Sequence, residues 1–379
     1  VTDEITPFHI EVPQAALDDL RDRLLRTRWP DAEPVGDWSQ GVPLARMRAL
    51  CDHWANGYDW RRCERSLNAL NQYRTTIDGL GIHFLHVRSP EPSALPMILT
   101  HGWPGSVLEF AKVIGPLTDP VRHGGKREDA FHLVVPSLPG YGFSDRPREP
   151  GWNLPRTAAA WATLMRRLGY RRWVAQGGDW GSVVTRLLAE TNAEGCIGIH
   201  LNLVAGSPLP EDLPDLTAEE QALLAKAQDY DSSGSGYARQ QSTRPQTLGY
   251  ALTDSPVGQA AWIYEKLQEW TDNDGAVENV LSPDEMLDNI TLYWLTGTAT
   301  SSARYYWENA ARPSPRVIDL PTGITQFPAD LLGSSRRWAD RAFSRIIHWS
   351  QPARGGHFAA WEVPEIFTEE LRACFRTLR

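Results

Sequence analysis

Gly177-Gly178-Asp179-Trp180-Gly181 is the stretch of this chain best suited to do chemistry. It has the form of G-x-S-x-G, in which a strained strand-to-helix turn lifts one side chain above a sheet while small residues let the backbone approach itself. The lifted residue here is an aspartate, and no G-x-S-x-G occurs anywhere in the sequence. That exchange changes the reaction class. A carboxylate is a weak nucleophile toward acyl carbon, yet it can displace at an sp³ carbon and leave an alkyl ester on the protein. The electrophile must then carry a reactive leaving group, such as the oxygen of a strained epoxide or a halide. The plainer alternative is that Asp179 only caps the helix that follows, a role aspartate often fills.

The downstream residues weigh against the plainer alternative, because the elbow architecture orders its residues along the chain as nucleophile, acid and histidine. Asp330 lies in Gln326-Phe-Pro-Ala-Asp330, after a late strand, and His357 in Arg354-Gly-Gly-His-Phe358, after the last one. A glycine-flanked histidine just before a terminal helix sits on a loop at the sheet's edge. Any of the other nine histidines would be better read as a helix-entry or core residue. A third segment, His101-Gly102-Trp103-Pro104-Gly105, ends an earlier strand. There the Trp103 N–H, with that of Trp180, would make an oxyanion hole for an ester's tetrahedral stage. A cis peptide is expected at Trp103-Pro104, since such bonds belong to X-Pro in tight turns. By itself this segment reads equally as an ordinary Gly/Pro turn.

The elements that must position these residues follow from periodicity. Leu17, Leu20 and Leu24 predict a helix ending before Trp29-Pro30, and residues 43–56 and 60–70 predict two more. Tyr73–Ile77 and Ile82–Val87 read as a strand pair joined through Asp78-Gly79-Leu80-Gly81. From about residue 95 strands alternate with helices, the mark of a mostly parallel sheet covered on both faces. The strands are Met97–Thr100, Phe131–Val135, Trp173–Ala175 and Cys196–Leu201, with a helix over roughly 155–168. The alternation lapses over 206–312, where Leu216–Ala227, Gly258–Trp270 and Pro283–Leu295 carry helical patterns around a Ser/Gly stretch at 232–236. Strands are expected to resume at Val317–Leu320 and Arg345–Trp349, before a final helix over Pro364–Leu378.

Composition bounds the rest. At 379 residues the chain exceeds a usual domain, so one large domain with insertions or two packed units is expected. With 38 basic against 47 acidic residues it offers no basic field for nucleic acid or anionic lipid. No stretch is long and apolar enough to span a membrane. Acidic residues from Asp3 to Asp19 interrupt any secretory apolar run, so the expected location is cytoplasmic. Cys51, Cys63, Cys196 and Cys374 are widely spaced, which argues for buried free thiols rather than a metal site or disulfides. The 16 Trp, 11 Tyr and 10 Phe supply flat surface for an apolar pocket.

His101-Gly-Trp-Pro-Gly-Ser106, Ser137-Leu-Pro-Gly-Tyr-Gly-Phe-Ser144, Gly177-Gly-Asp-Trp-Gly181, Asp254-Ser-Pro-Val-Gly258, Tyr293-Trp-Leu-Thr-Gly297 and Arg354-Gly-Gly-His-Phe-Ala-Ala360 together resemble the microsomal-type epoxide hydrolases of the α/β-hydrolase fold. Pro7–Pro13, Thr27–Pro30, Tyr58–Arg61 and Ile77–Leu80 are similar to that family's N-terminal region. The resemblance covers nearly the whole chain. It implies an N-terminal wrapping region at 1–92, a hydrolase core at 93–205 and 313–379, and a helical cap at 206–312. It also implies Asp179 as nucleophile, His357 as general base, Asp330 as the acid orienting it, and two epoxide-activating tyrosines in the cap, Tyr237 and Tyr306. A phenol is neutral at pH 7 and can protonate a developing alkoxide. Cap packing is the plainer reading of both tyrosines, and Tyr305 competes with Tyr306. Where this chain has Asp330, some relatives have Glu. The membrane anchor of the animal enzymes is not carried over.

The resemblance implies no cofactor and no metal; the partner is a small-molecule epoxide, with no nucleic acid and no membrane. The aromatic content suggests a bulky or aryl-substituted epoxide. Only four lysines among the basic residues suit a bacterium of high G+C content; the resemblance implies a role in catabolism or natural-product biosynthesis. Oligomeric state is left open, a homodimer among the options. Two rivals stand beside this reading. A haloalkane dehalogenase shares the Asp elbow but needs halide-binding N–H donors in place of two tyrosines. A catalytically idle small-molecule-binding protein would keep the pocket alone.

Overall fold

The computed structural model describes residues 4–310 and 316–379. Nine strands form one sheet: β1 (Ile5–Pro7), β2 (Gln72–Ile77), β3 (Leu80–Val87), β4 (Leu95–Thr100), β5 (Phe131–Pro136), β6 (Trp173–Gly177), β7 (Cys196–Leu201), β8 (Thr322–Thr325) and β9 (Ile346–Ser350). They lie in the order β1-β2-β3-β5-β4-β6-β7-β8-β9. The first three pair antiparallel, β3 joins β5 antiparallel, and from β5 to β9 all neighbours are parallel. This is the α/β-hydrolase arrangement. The two-residue turn between β2 and β3 uses Asp78 at φ 49° and Gly79 at φ 81°, the left-handed conformations that match a hairpin's twist.

Strand periodicity sorts the central residues onto two faces. Ile98, Val134 and Ala175 enter one apolar cluster, with Trp161, Leu164, Val184 and Leu188 of the covering helices. Met97, Leu99, Leu133, Val135 and Val174 enter the other, under Leu117, Phe367 and Leu371. All these side chains are buried. A strand covered on both faces must be apolar at every position, which is why the middle of the chain shows short unbroken runs.

One expected strand is displaced. Val317–Leu320 forms no named strand; Ile318 makes an isolated bridge to Phe343, and β8 begins after Pro321. β-Branched Val317 and Ile318 attract the eye, but the segment that pairs with β7 is Thr322-Gly-Ile-Thr325. Gly323 dilutes its strand pattern and is needed for packing: a Cβ there would lie 2.2 Å from the Cys374 sulfur. β1 and three cap helices, Gly236–Thr243, Pro245–Asp254 and Ala299–Glu308, were also not expected. The expected limits of cap and core at 312 and 313 lie outside the described residues.

All four cysteines are buried and free. Among the described residues, no helix is long and apolar enough to cross a membrane, and no group of three His, Cys, Asp or Glu side chains is placed to hold a metal ion.

Candidate active site

β6 ends at Gly177 and the helix Asp179–Glu190 begins two residues later, so the chain reverses within Gly177-Gly178. Asp179 sits at φ 49°, a strained value for a residue with a Cβ, and a sign that its placement is enforced by what surrounds it. The enforcement is steric. A Cβ on Gly181 would lie 1.9 Å from the Thr100 carbonyl oxygen, and one on Gly177 would lie 2.1 Å from that of Gly181. The helix can start this close to β4 only with glycine at both places.

The Asp179 side chain, 15 % exposed, is gripped at both oxygens. Oδ1 accepts the Trp103 N–H at 2.9 Å, and Oδ2 lies 3.4 Å from Nε2 of His357. The Trp103-Pro104 peptide is cis, as expected from the sequence. Gly102 must lack a side chain, since a Cβ would lie 2.1 Å from Asp179 Oδ1. Trp180 is the second residue of the helix, where the backbone N–H lies ahead of the intrahelical ladder.

His101 supports this loop. Its Nε2 accepts the Leu138 N–H (3.2 Å), so the proton resides on Nδ1, which donates to the Gly102 carbonyl (2.9 Å). Burial pushes its pKa down to about 4, against the pull of that bond and of Asp179, and the ring stays neutral.

His357 is buried on the loop after β9, and its Nδ1–H donates to Oδ1 of Asp330 at 2.7 Å. Asp330 follows β8 and is itself buried. Burial of the imidazole acts to lower its pKa. The attraction of Asp330 and Asp179, with their hydrogen bonds, outweighs that and holds the pKa well above the usual histidine value.

Tyr237 lies on the helix Gly236–Thr243 and Tyr306 on the helix Ala299–Glu308. The Tyr237 ring stacks on Trp103 (centroids 4.9 Å, 10°), and the Tyr306 ring meets Trp180 edge-on at 4.7 Å and Trp103 at 5.9 Å. The two tryptophans therefore hold both tyrosines with their rings, beside the carboxylate that Trp103 holds with its backbone. Tyr305 turns elsewhere: its hydroxyl lies 2.8 Å from Thr157 Oγ1. Burial raises the pKa of Tyr237 and Tyr306 well above the ordinary phenol value, and neighbouring phenols and Asp179 add to it. Two surface clefts of about 960 and 1050 Å³ lie elsewhere, beside Trp29 and Trp152 respectively, and Asp179 lines neither. A strained carboxylate, an ion-paired imidazole and two buried phenols converge instead in the covered site, which makes it the candidate for chemistry among the described residues.

The model family described as epoxide hydrolase N terminus matches residues 5–110, and that described as alpha/beta hydrolase fold matches 96–260. A protein of Stigmatella aurantiaca named "Putative epoxide hydrolase" is 61% identical over 99% of this chain and 86% of its own length. Epoxide hydrolase 1 of Sus scrofa is 36% identical over 98% of this chain and 88% of its own. The chain belongs to the microsomal-type epoxide hydrolases. Among solved structures, the epoxide hydrolase of Aspergillus niger superposes on the hydrolase with a TM-score of 0.89 at 33% identity, covering 99% of this chain and 97% of the other.

The structure thus brings Asp179, His357, Asp330, Trp103, Trp180, Tyr237 and Tyr306 together around one point. Sequence reading missed several polar neighbours. Tyr230, on a π-helical turn at Tyr230–Gly234, places its hydroxyl 2.9 Å from that of Tyr237. Glu109, in Ser106-Val-Leu-Glu109, has the spacing of a capping box, but its carboxyl also lies over Gly105, where a Cβ would be 1.4 Å from Oε1. Burial pushes its pKa up to about 8, His357 pulling the other way. Glu362 receives three backbone amides around the His357 loop. Its burial raises it to about 7, against the pull of the Asp272 and Phe358 amides. Only the spacing of Glu362 to His357 hints at this in the sequence.

Proposed function

We propose that the hydrolase opens its epoxide through a covalent ester on Asp179. Asp179 Oδ2 attacks an epoxide carbon from the side opposite the C–O bond. The bond breaks toward oxygen, and Tyr237 and Tyr306 hydrogen-bond that oxygen and supply its proton. The ester carbonyl keeps the place of Oδ1 at the Trp103 N–H. His357, held in the useful tautomer by Asp330, then takes a proton from water as the water attacks the ester carbon. The oxyanion is met by the N–H groups of Trp103 and Trp180, and collapse releases a vicinal diol and regenerates the carboxylate.

The observation that carries this reading is the double grip on Asp179, one oxygen on a peptide N–H and the other 3.4 Å from an acid-supported imidazole, with cap phenols over it. It also accounts for His357's change of role. While Asp179 is anionic, its charge helps keep the imidazole protonated. Esterification removes that charge and lowers the imidazole pKa, so the imidazolium returns its Nε2 proton to the phenolate left by ring opening, and Nε2 is then free to act as a base. Tyr306 rather than Tyr305 is the second phenol, because the Tyr305 hydroxyl is engaged at Thr157. The aromatic lining fits a bulky or aryl-substituted epoxide.

His357→Gln tests the proposal. Incubated with styrene oxide, the variant should accumulate substrate mass on the Asp179 peptide, while the wild type should turn over without build-up. An unlabelled peptide in a variant that binds substrate would overturn the covalent route. Halide release from a haloalkane panel would favour dehalogenase chemistry instead.

A further inference from the structure

We propose that Glu362 is a positioning residue for the hydrolytic half-reaction, fixing His357 by gathering the peptide N–H groups on either side of it, and one from the cap, onto a single carboxylate. The inference rests on the reading of His357 as the base.

Glu362 closes the short helix Ala359–Glu362, and its side chain reaches back along it. Oε1 accepts the Phe358 N–H at 2.8 Å; Oε2 accepts the Asp272 N–H at 2.7 Å and the Gly356 N–H at 3.1 Å. Phe358 and Gly356 are the two neighbours of His357 in the chain. The remaining amides of the loop go to the cap: His357 N–H to the Trp270 carbonyl at 2.8 Å, and Gly355 N–H to Asp272 Oδ2 at 2.8 Å. Four consecutive N–H groups, 355–358, are therefore held either by Glu362 or by cap residues 270–272. Gly356 permits the convergence, since a Cβ there would lie 2.5 Å from the Trp270 carbonyl and 3.0 Å from Glu362 Oε2.

An ordinary helix cap needs one or two of these bonds. This one ties the base to the same cap segment whose Trp270 ring lies 5.1 Å from both His357 and Tyr237. All three groups facing the carboxylate are N–H donors, so only an acceptor serves at both oxygens. Glutamine of the same shape must turn an NH₂ toward at least one of them. The loop would shift, and His357 Nε2 would move relative to the ester. Alkylation does not use the base, so the two half-reactions should separate.

Full-length wild type, Glu362→Gln and His357→Gln are mixed with styrene oxide and quenched at intervals, and intact mass gives rates of ester formation and decay. In Glu362→Gln decay should slow by about tenfold or more, with formation within about threefold of wild type, as expected for a misplaced catalytic group. Unchanged decay, or both rates falling by one factor, overturns the proposal. Should Glu362→Gln fail to fold, Glu362→Asp, an acceptor one methylene too short to reach all three amides, carries the test: slower decay with near-normal formation supports the clamp and unchanged decay removes it. If His357→Gln itself accumulates no ester, the parent reading fails. If it does and Glu362→Gln does not, this inference alone fails.

Discussion

The proton on His357 is shared property of two carboxylates, and that can be measured. A histidine whose folded pKa is raised stabilises the fold fully below its unfolded value of about 6.5, and the contribution is lost as pH rises through the folded value. Burial opposes the shift and Asp330 and Asp179 produce it, so Asp179→Ala should lower the imidazole midpoint followed by NMR. An unchanged midpoint would mean that Asp330 alone holds the proton, and the proposed release on esterification would lose its basis. At this scale the sequence was most legible where chemistry demands a residue type. Asp179, His357 and Asp330 follow from order along the chain. Tyr306 could not be separated from Tyr305, because adjacent helical residues point about 100° apart and only the packing shows that the Tyr305 hydroxyl is engaged at Thr157. Glu362 was barely legible because its partners are backbone amides, and only its spacing to His357 hints at them.

Among the elements, the elbow shows how a turn can be dictated by clearance. Gly181→Ala would press its Cβ against the Thr100 carbonyl at 1.9 Å, a backbone atom in the sheet's middle that cannot yield. Soluble protein should be lost, or, in what folds, ester formation should drop by about a hundredfold or more; near-normal formation kinetics would show that the helix can back away from β4. The core strands were readable because residues buried on both faces write an unbroken apolar run. β8 was not, since its glycine serves Cys374 on the neighbouring helix. The cap helices Gly236–Thr243 and Pro245–Asp254 are short, have no side-chain N-cap, and take their stability from contacts far away in sequence.

Across the whole molecule, Trp54, Tyr58 and Arg62 are linked to the Trp103 loop through the helix Pro283–Thr296. Arg62 holds both oxygens of Asp288 at 2.7 and 2.8 Å, Tyr58 donates to the same carboxylate at 2.7 Å, and Trp54 donates to Thr291 at 2.9 Å. Asp288 and Thr291 belong to the cap helix Pro283–Thr296. On that helix Asn289 and Tyr293 donate to the carbonyls of Pro104 and Gly105, each at 2.8 Å, one and two residues past Trp103. Arg62→Ala should lower stability by about 1–2 kcal/mol, since the aspartate is largely covered while the arginine is half exposed. Calorimetry would show a lower Tm, with Arg62→Lys recovering part of it; an unchanged Tm would mean that the pair contributes nothing net. This relay was not legible in the sequence, because its contacts join residues 185 to 237 positions apart.

The histidine of the His-Gly-Trp-Pro loop makes the Trp103 N–H a stronger donor than an isolated amide. The Gly102 carbonyl and the Trp103 N–H are two ends of one peptide group. The imidazole N–H pulls electron density toward the carbonyl end, which leaves the N–H end more positive, and the Leu138 amide pushes the ring in the same direction. Three hydrogen bonds thus run in series, all oriented toward Asp179. Because the ring does not take up a second proton until about pH 4, the direction of this polarisation is constant across the whole range in which His357 must switch. The hydrolase therefore sets a histidine whose pKa is raised beside one whose pKa is lowered, with Asp179 drawing on both.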